Sequence, residues 1–246
     1  MVQAFFSDRI TLISGTFITL VILAAIFAPM VSPHDPKDRQ LPLRLISPFS
    51  SGVATDRTVE PWIKEERFYL LGTDHLGRDM VSRLIFGGRI SMAVGILGVL
   101  VSGVIGLVLG LLAGYYRGVV DDVIMRTVDV FMSIPLLLLA LLVIFILGTS
   151  FQNIIIVFAL GRWMLYCRVT RGVVMSLREQ AFVEAAQAIG CTDRRIVLRH
   201  VLPNLITPIM TIAALDVPRV ILTESTLSFL GFGIQPPDSS WGTMLS

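Results

Sequence analysis

The sequence predicts an all-α membrane protein, a polytopic helical bundle, on three observations. Hydrophobic residues fill 54% of the 246 positions and charged residues only 15%, with a mean hydropathy of +0.78. Five apolar segments recur along the chain, and a helix needs about 20 apolar residues to cross a bilayer. Alternating strands of about ten residues, which would mark a membrane barrel, are absent from the sequence. A bilayer offers no water to unpaired backbone groups, so helices are the solution that remains. The formal charge of +2 gives no indication of nucleic acid.

The first span, Ile10 to Val31, is expected to stay as an anchor. Asp8 and Arg9 give its leader no clear positive excess, and Ile26-Phe27-Ala28 followed by Pro29 is a poor cleavage site. Ser32 to Arg89 is too polar to span, holds five prolines (Pro33, Pro36, Pro42, Pro48, Pro61) and reads as a compact cap. Its end, Gly72-Thr73-Asp74-His75-Leu76-Gly77-Arg78-Asp79, reads as a tight turn. Met80 to Ile90 is expected to form a short helix leading into the second span, Ile90 to Ala113. Gly106, Gly110 and Gly114 recur there every four residues, a face that lets a neighbouring helix come close.

The third span, Val128 to Leu147, contains Pro135, which removes a backbone hydrogen bond and predicts a kink. Asn153 to Tyr166 is a short fourth span, with Arg162 expected to snorkel to the surface beside Trp163. The fifth, Leu205 to Leu222, carries Asp216 and Arg219. Charge at that depth faces a bundle interior or an aqueous path. Two readings follow: Asp216 lines a route and meets a solute amine, or it pairs with Arg219 at i and i+3. Glu224, near the outer end, is read as an interface residue.

Short loops set the orientation. Arg9, Arg117, Arg126, Arg168, Arg171, Arg178, Arg194, Arg195 and Arg199 fall on one side, whereas Gly148 to Gln152 and Ser225 to Ser246 hold no Lys or Arg. Ser32 to Arg89 holds nine basic and eight acidic residues, and so long a loop is a poor vote. The N-terminus is therefore expected in the cytoplasm and the long loop outside. The organisation is an anchor (1–31), an extracytoplasmic loop region (32–89) and a membrane core (90–246) with a cytoplasmic loop at 168–204.

That cytoplasmic loop carries the most informative pattern. Glu184-Ala185-Ala186 precedes Gly190 and then His200-Val201-Leu202-Pro203. Ala181, Phe182, Ala185 and Ile189 recur at helical spacing and predict one apolar face. Gly190 suits the stop of that helix, and Thr192 is placed to cap a second short helix. Ile196, Val197 and Val201 continue an apolar stripe, and Pro203 is expected to end the second helix. Small residues on the aqueous side of a membrane protein invite close docking by another protein.

The pattern resembles the EAA loop of binding-protein-dependent ABC importers: Glu-Ala-Ala, Gly, an aliphatic position, then Leu-Pro, with His200 standing where the family has Ile. Gly72-Thr73-Asp74, Gly77-Arg78-Asp79 and Gly88-Arg89-Ile90-Ser91 are similar to the peptide and nickel permease branch. So are Thr223-Glu224-Ser225-Thr226-Leu227-Ser228-Phe229-Leu230-Gly231-Phe232-Gly233, Pro236-Pro237 and Trp241-Gly242. The resemblance points to the C-type permease subunit of dipeptide and oligopeptide systems.

It implies the type I importer permease fold. It also implies a second permease, two cytoplasmic ABC ATPases and an extracytoplasmic substrate-binding protein as partners, in the cell membrane of a prokaryote. Glu184, Ala185, Ala186, Gly190, His200, Leu202 and Pro203 would then couple ATPases to translocation, with Asp216 and Arg219 on the pathway. The family has six spans where this chain shows five, so a last span is expected to be missing. The polar stretch Leu41 to Arg67 is also longer than the family pattern.

No G-x-x-x-x-G-K-[ST], H-E-x-x-H or G-x-S-x-G occurs, so no catalytic residue is assigned and pumping energy must come from another polypeptide. Cys167 and Cys191 form no C-x-x-C pair, and His34, His75 and His200 form no metal set; no cofactor is expected. An ion-coupled secondary transporter is the alternative; it would need intramembrane acids, of which Asp216 is a fair candidate. Dipeptide, oligopeptide, nickel complex and glutathione all remain open as solutes.

Overall fold

Apolar runs of the lengths read from the sequence form helices, two of them continued well beyond their apolar stretch: Met80–Tyr116 and Phe151–Arg178. The computed structural model describes residues 9–56 and 63–245. Among these, α1 (Arg9–Ile26) is followed by a one-turn helix, Ala28–Val31, and by strands β1 (Ser50–Asp56) and β2 (Ile63–Tyr69). Then come α2 (Met80–Tyr116), α3 (Gly118–Met132), α4 (Leu136–Leu147), α5 (Phe151–Arg178), α6 (Ala181–Ala188), α7 (Asp193–Ile196) and α8 (Leu202–Phe229). Four helices are long and apolar enough to span, α7 and α8 counting as one, or five with the bent pair α3–α4.

Residues 1–93 with 228–246 form one compact unit, and 94–227 a second. In the first, the chain is not purely helical: β1 and β2 make an antiparallel hairpin, Ser50 opposite Tyr69 and Val53 opposite Glu66. Leu43, Ala54 and Tyr69 form its small core. The Gly72–Asp79 segment is the expected tight turn, with Gly72 (φ 77°) and Gly77 (φ 73°) in the left-handed region and Thr73 bridged to Asp79. Buried Asp74 ties it together. Its carboxylate accepts from the amides of Leu76 (2.8 Å) and Arg78 (2.9 Å), pairs with Arg78 Nε at 2.7 Å and also pairs with Arg83. Burial alone would raise the Asp74 pKa, but the hydrogen bonds and charge of Arg78 outweigh it and hold the carboxyl below its usual range.

After Ser228 the chain stays in this unit. Trp241 lies over Gly88, where a Cβ would come within 2.9 Å of the indole, and its Nε1–H donates to the Leu84 carbonyl at 3.1 Å. Met80 to Ile90 is part of α2 itself rather than a separate lead-in helix.

In the second unit, α2 and α5 touch backbone to backbone along the glycine stripe. A Cβ at Gly106 or Gly110 would collide with the carbonyl oxygens of Trp163 or Cys167, and one at Gly114 would sit 2.8 Å from that of Arg171. The expectation of close packing is met.

The third span is more broken than a kink implies. α3 and α4 meet at 87°. Pro135 has no N–H to donate and disfavours helix at the residue before it, so Ser133 and Ile134 form a turn. At about 1.5 Å per residue the 12 residues of α4 reach about 18 Å, short of the ~30 Å core. Pro203 departs from expectation in the other direction: it sits in the first turn of α8 and the helix runs on to Phe229. A π turn, Val197–Val201, with Leu202 N–H bonded to the Val197 carbonyl, widens the helix just before the ring and eases its clash. The second loop helix is thus continuous with the last span.

Candidate functional site

The loop between α5 and α8 is built from a short helix with two faces. α6 ends in a glycine cap: Gly190 has φ 79°, its N–H bonds the Gln187 carbonyl at 2.9 Å, and the Cys191 N–H bonds that of Ala186 at 3.0 Å. That is the Schellman arrangement. Thr192 occupies the N-cap of α7, but its side chain makes no capping bond.

The packed face of α6 is Val183 and Ala186, and the apolar face read from the hydrophobic spacing is the opposite one. Val183 joins Tyr115 of α2, Val174 of α5, Ile196, Val201 and Leu205 in one core cluster. Ala181, Phe182, Glu184, Ala185 and Ile189 are all exposed, Ile189 at 80%. Period alone cannot say which of two apolar faces meets the protein's own core; the spans offer room for the slimmer pair.

Polar contacts link the ends of the spans around that cluster. Tyr115 Oη–H donates to Asp193 at 2.7 Å, and the Arg178 guanidinium lies 5.4 Å over the Tyr115 ring while donating to the Tyr115 carbonyl at 2.5 Å. Arg117 pairs with Glu179 at 2.7 Å, Arg171 with Asp121 at 2.5 Å and Arg168 with Asp129 at 2.7 Å. α6 itself joins α2, α5 and α8 through Val183 and Ala186 in the apolar cluster. His200 packs its ring 6.4 Å from that of Phe182. Leu202 is half-buried in the same cluster and Pro203 is exposed. The structure thus brings Glu184, Ala185, Ala186, Gly190, His200, Leu202 and Pro203 onto one end of the second unit.

The intramembrane charges arrange differently from expectation. Asp216 is fully buried and accepts from Tyr166 Oη at 3.1 Å and Arg162 Nε at 3.2 Å, with Arg162 Nη2 on its other oxygen. Arg162 does not snorkel, and Asp216 is paired across helices rather than with Arg219. The partner lies 54 residues away, beyond what spacing within one span can show. Arg219 is exposed and makes no ion pair among the described residues. Glu224 is fully buried rather than placed at an interface. Among the described residues no group of three His, Cys, Asp or Glu could hold a metal.

The family model described as "binding-protein-dependent transport system inner membrane component" matches residues 106–246, and "N-terminal TM domain of oligopeptide transport permease C" matches 1–48. The chain belongs to the binding-protein-dependent inner membrane permease family. It is 37% identical to a di/tripeptide transport system permease protein of Pseudomonas aeruginosa, over 99% of this chain and 77% of that one. It is 36% identical to a glutathione transport system permease protein of Pectobacterium atrosepticum, over 99% and 76%. An inward-facing methionine ABC transporter structure shares its fold, with TM-score 0.57 and 20% identity, covering 67% of this chain and 79% of that one. The chain is thus a membrane permease subunit of an ABC importer, whose ATPase is a separate subunit. Such a permease works with ATPase, substrate-binding and second-permease partners, and the ion-coupled alternative is set aside.

Proposed function

We propose that this permease admits short peptides or a close relative such as glutathione, and that α6 is the element its ATPases grip. The peptide reading is supported by relatives of that type matching almost the whole chain. The grip is supported by one observation above all: α6 turns Phe182, Ala185 and Ile189 outward while Val183 and Ala186 lock it to three spans. Exposed apolar residues flanked by Glu184 suit a protein groove. The arginine-rich short loops put this end in the cytoplasm and the hairpin outside.

ATP-driven closure of the ATPases would then favour one of two global states through contacts made at α6 and not at the solute. Arg219, exposed on a span where charge avoids lipid, is the residue we place on the pathway, with Asp216 holding Arg162 behind it.

The test replaces Gly190 with Leu, or Glu184 with Lys. Leucine at φ 79° is strained and unseats the cap. Peptide uptake should fall while the protein still inserts and the ATPases still turn over. Normal uptake with normal ATPase stimulation in both variants overturns the grip.

A further inference from the structure

We infer that the extracytoplasmic unit holds a carboxylate-binding cavity that receives the terminal carboxylate of the incoming peptide; this rests on the peptide reading above. The cavity, about 350 Å³, is lined by Arg39, His75, Arg78, Arg83, Ser228 and Gln235 among others. Arg78 and Arg83 are each only 7% exposed and share one carboxylate, Asp74. The Arg83 Nε is buried and has no acceptor among the described residues. Arg39 is exposed and makes no ion pair among them. Asp238, on the cavity wall, is taken by Lys37 at 2.8 Å.

Three guanidiniums and one carboxylate line the cavity; Asp74 pairs two of the former from outside the lining and Lys37 pairs the latter, which leaves a positive excess at the site. Buried guanidiniums are costly unless paired, and a planar carboxylate matches their fork of donors. The Gln235 amide is tied to the Gly231 and Gly233 carbonyls and the Ser228 hydroxyl to Ile234 N–H and Ser240, so the guanidiniums are the donors left for the ligand. Dipeptides and glutathione differ in side chains and length but share this one group. A site for it serves all of them and leaves their side chains unread.

The experiment uses the assembled membrane complex without its soluble binding protein. A dipeptide carrying a benzophenone side chain is photolysed with it, and the label is mapped by mass spectrometry. The free acid should label residues 231–238 or 75–78. The C-terminal amide, and Arg39→Gln with the acid, should label there about tenfold less, the scale of one charge-assisted hydrogen bond. Arg39→Lys should restore part of the label. Excess dialanine should compete, whereas inorganic phosphate and phosphatidylglycerol vesicles should not.

Arg39 is on the surface, so its variants keep the complex assembled; Arg83→Gln, which also breaks the Asp74 group, is read only beside them. Equal labelling by acid and amide, label elsewhere, no change in Arg39→Gln, or competition by phosphate or lipid overturns the site. If uptake of dialanine by the whole importer is ATP-driven while labelling ignores the carboxylate, only this inference falls. If there is no such uptake, the peptide reading falls with it.

Discussion

Removing the Asp216 carboxylate should destabilise the second unit more than removing the whole charged pair. Asp216→Ala leaves the Arg162 guanidinium, 22% exposed, without its carboxylate partner. Breaking one partner of a buried ion pair costs about 3–5 kcal/mol. The partial exposure of Arg162 lets it recover some solvation, which places this case near the lower end, about 3 kcal/mol. For a chain of this size that corresponds to a fall in unfolding midpoint of roughly 6–12 °C. Arg162→Met with Asp216→Ala removes both charges and keeps an apolar stem, so most of the loss should return. The assay is thermal unfolding of the detergent-purified permease, followed by tryptophan fluorescence, for both single variants and the double. A double variant no more stable than Asp216→Ala, or an Asp216→Ala protein unchanged from wild type, would refute the cross-helix pairing.

Two further outcomes follow from local geometry. Gly110→Leu should abolish assembly of α2 on α5, seen as loss of folded protein on size exclusion, because its Cβ has no room against the Cys167 carbonyl; Gly103→Ala, whose Cβ meets Tyr166 at an ordinary 3.8 Å, should be tolerated. Asp74 has a folded pKa below its usual value, so its stabilisation is full above the unfolded pKa and is lost as pH falls through the folded one. Stability of the first unit should drop below about pH 4, and Asp74→Asn should be weaker at neutral pH and flatten that acid limb.

Much of this architecture could be read from residue order, where the signal is local. The glycine stripe at 106, 110 and 114 meets carbonyls at each step, and Gly190 closes α6 in the left-handed conformation. What escaped depends on contacts between distant segments. The hairpin is hidden because only Val53 and Thr55 of the seven residues Ser50–Asp56 are strong strand formers, and the strand is held by pairing with Ile63–Tyr69 and by Leu43 beneath it. Arg162 and Asp216 find each other only once α5 and α8 are side by side. Which apolar face of α6 packs inward was not legible, because Phe182 and Ile189 are larger apolar residues than Val183 and Ala186, yet they point away from the core. Pro203 and Pro135 show the converse: one proline is absorbed by a π turn and the other breaks its helix, and the difference lies in the preceding backbone.

The most direct measurement places a single cysteine on each face of α6, in a Cys191→Ser background that leaves buried Cys167 in place. Phe182→Cys and Ile189→Cys, treated with a short bifunctional thiol reagent in membranes, should join the permease to its ATPase, with a yield that changes when ATP is bound. Val183→Cys should not. Crosslinks from Val183→Cys equal to those from Phe182→Cys, or an outer face that reacts only with reagents added outside the cell, would contradict the account.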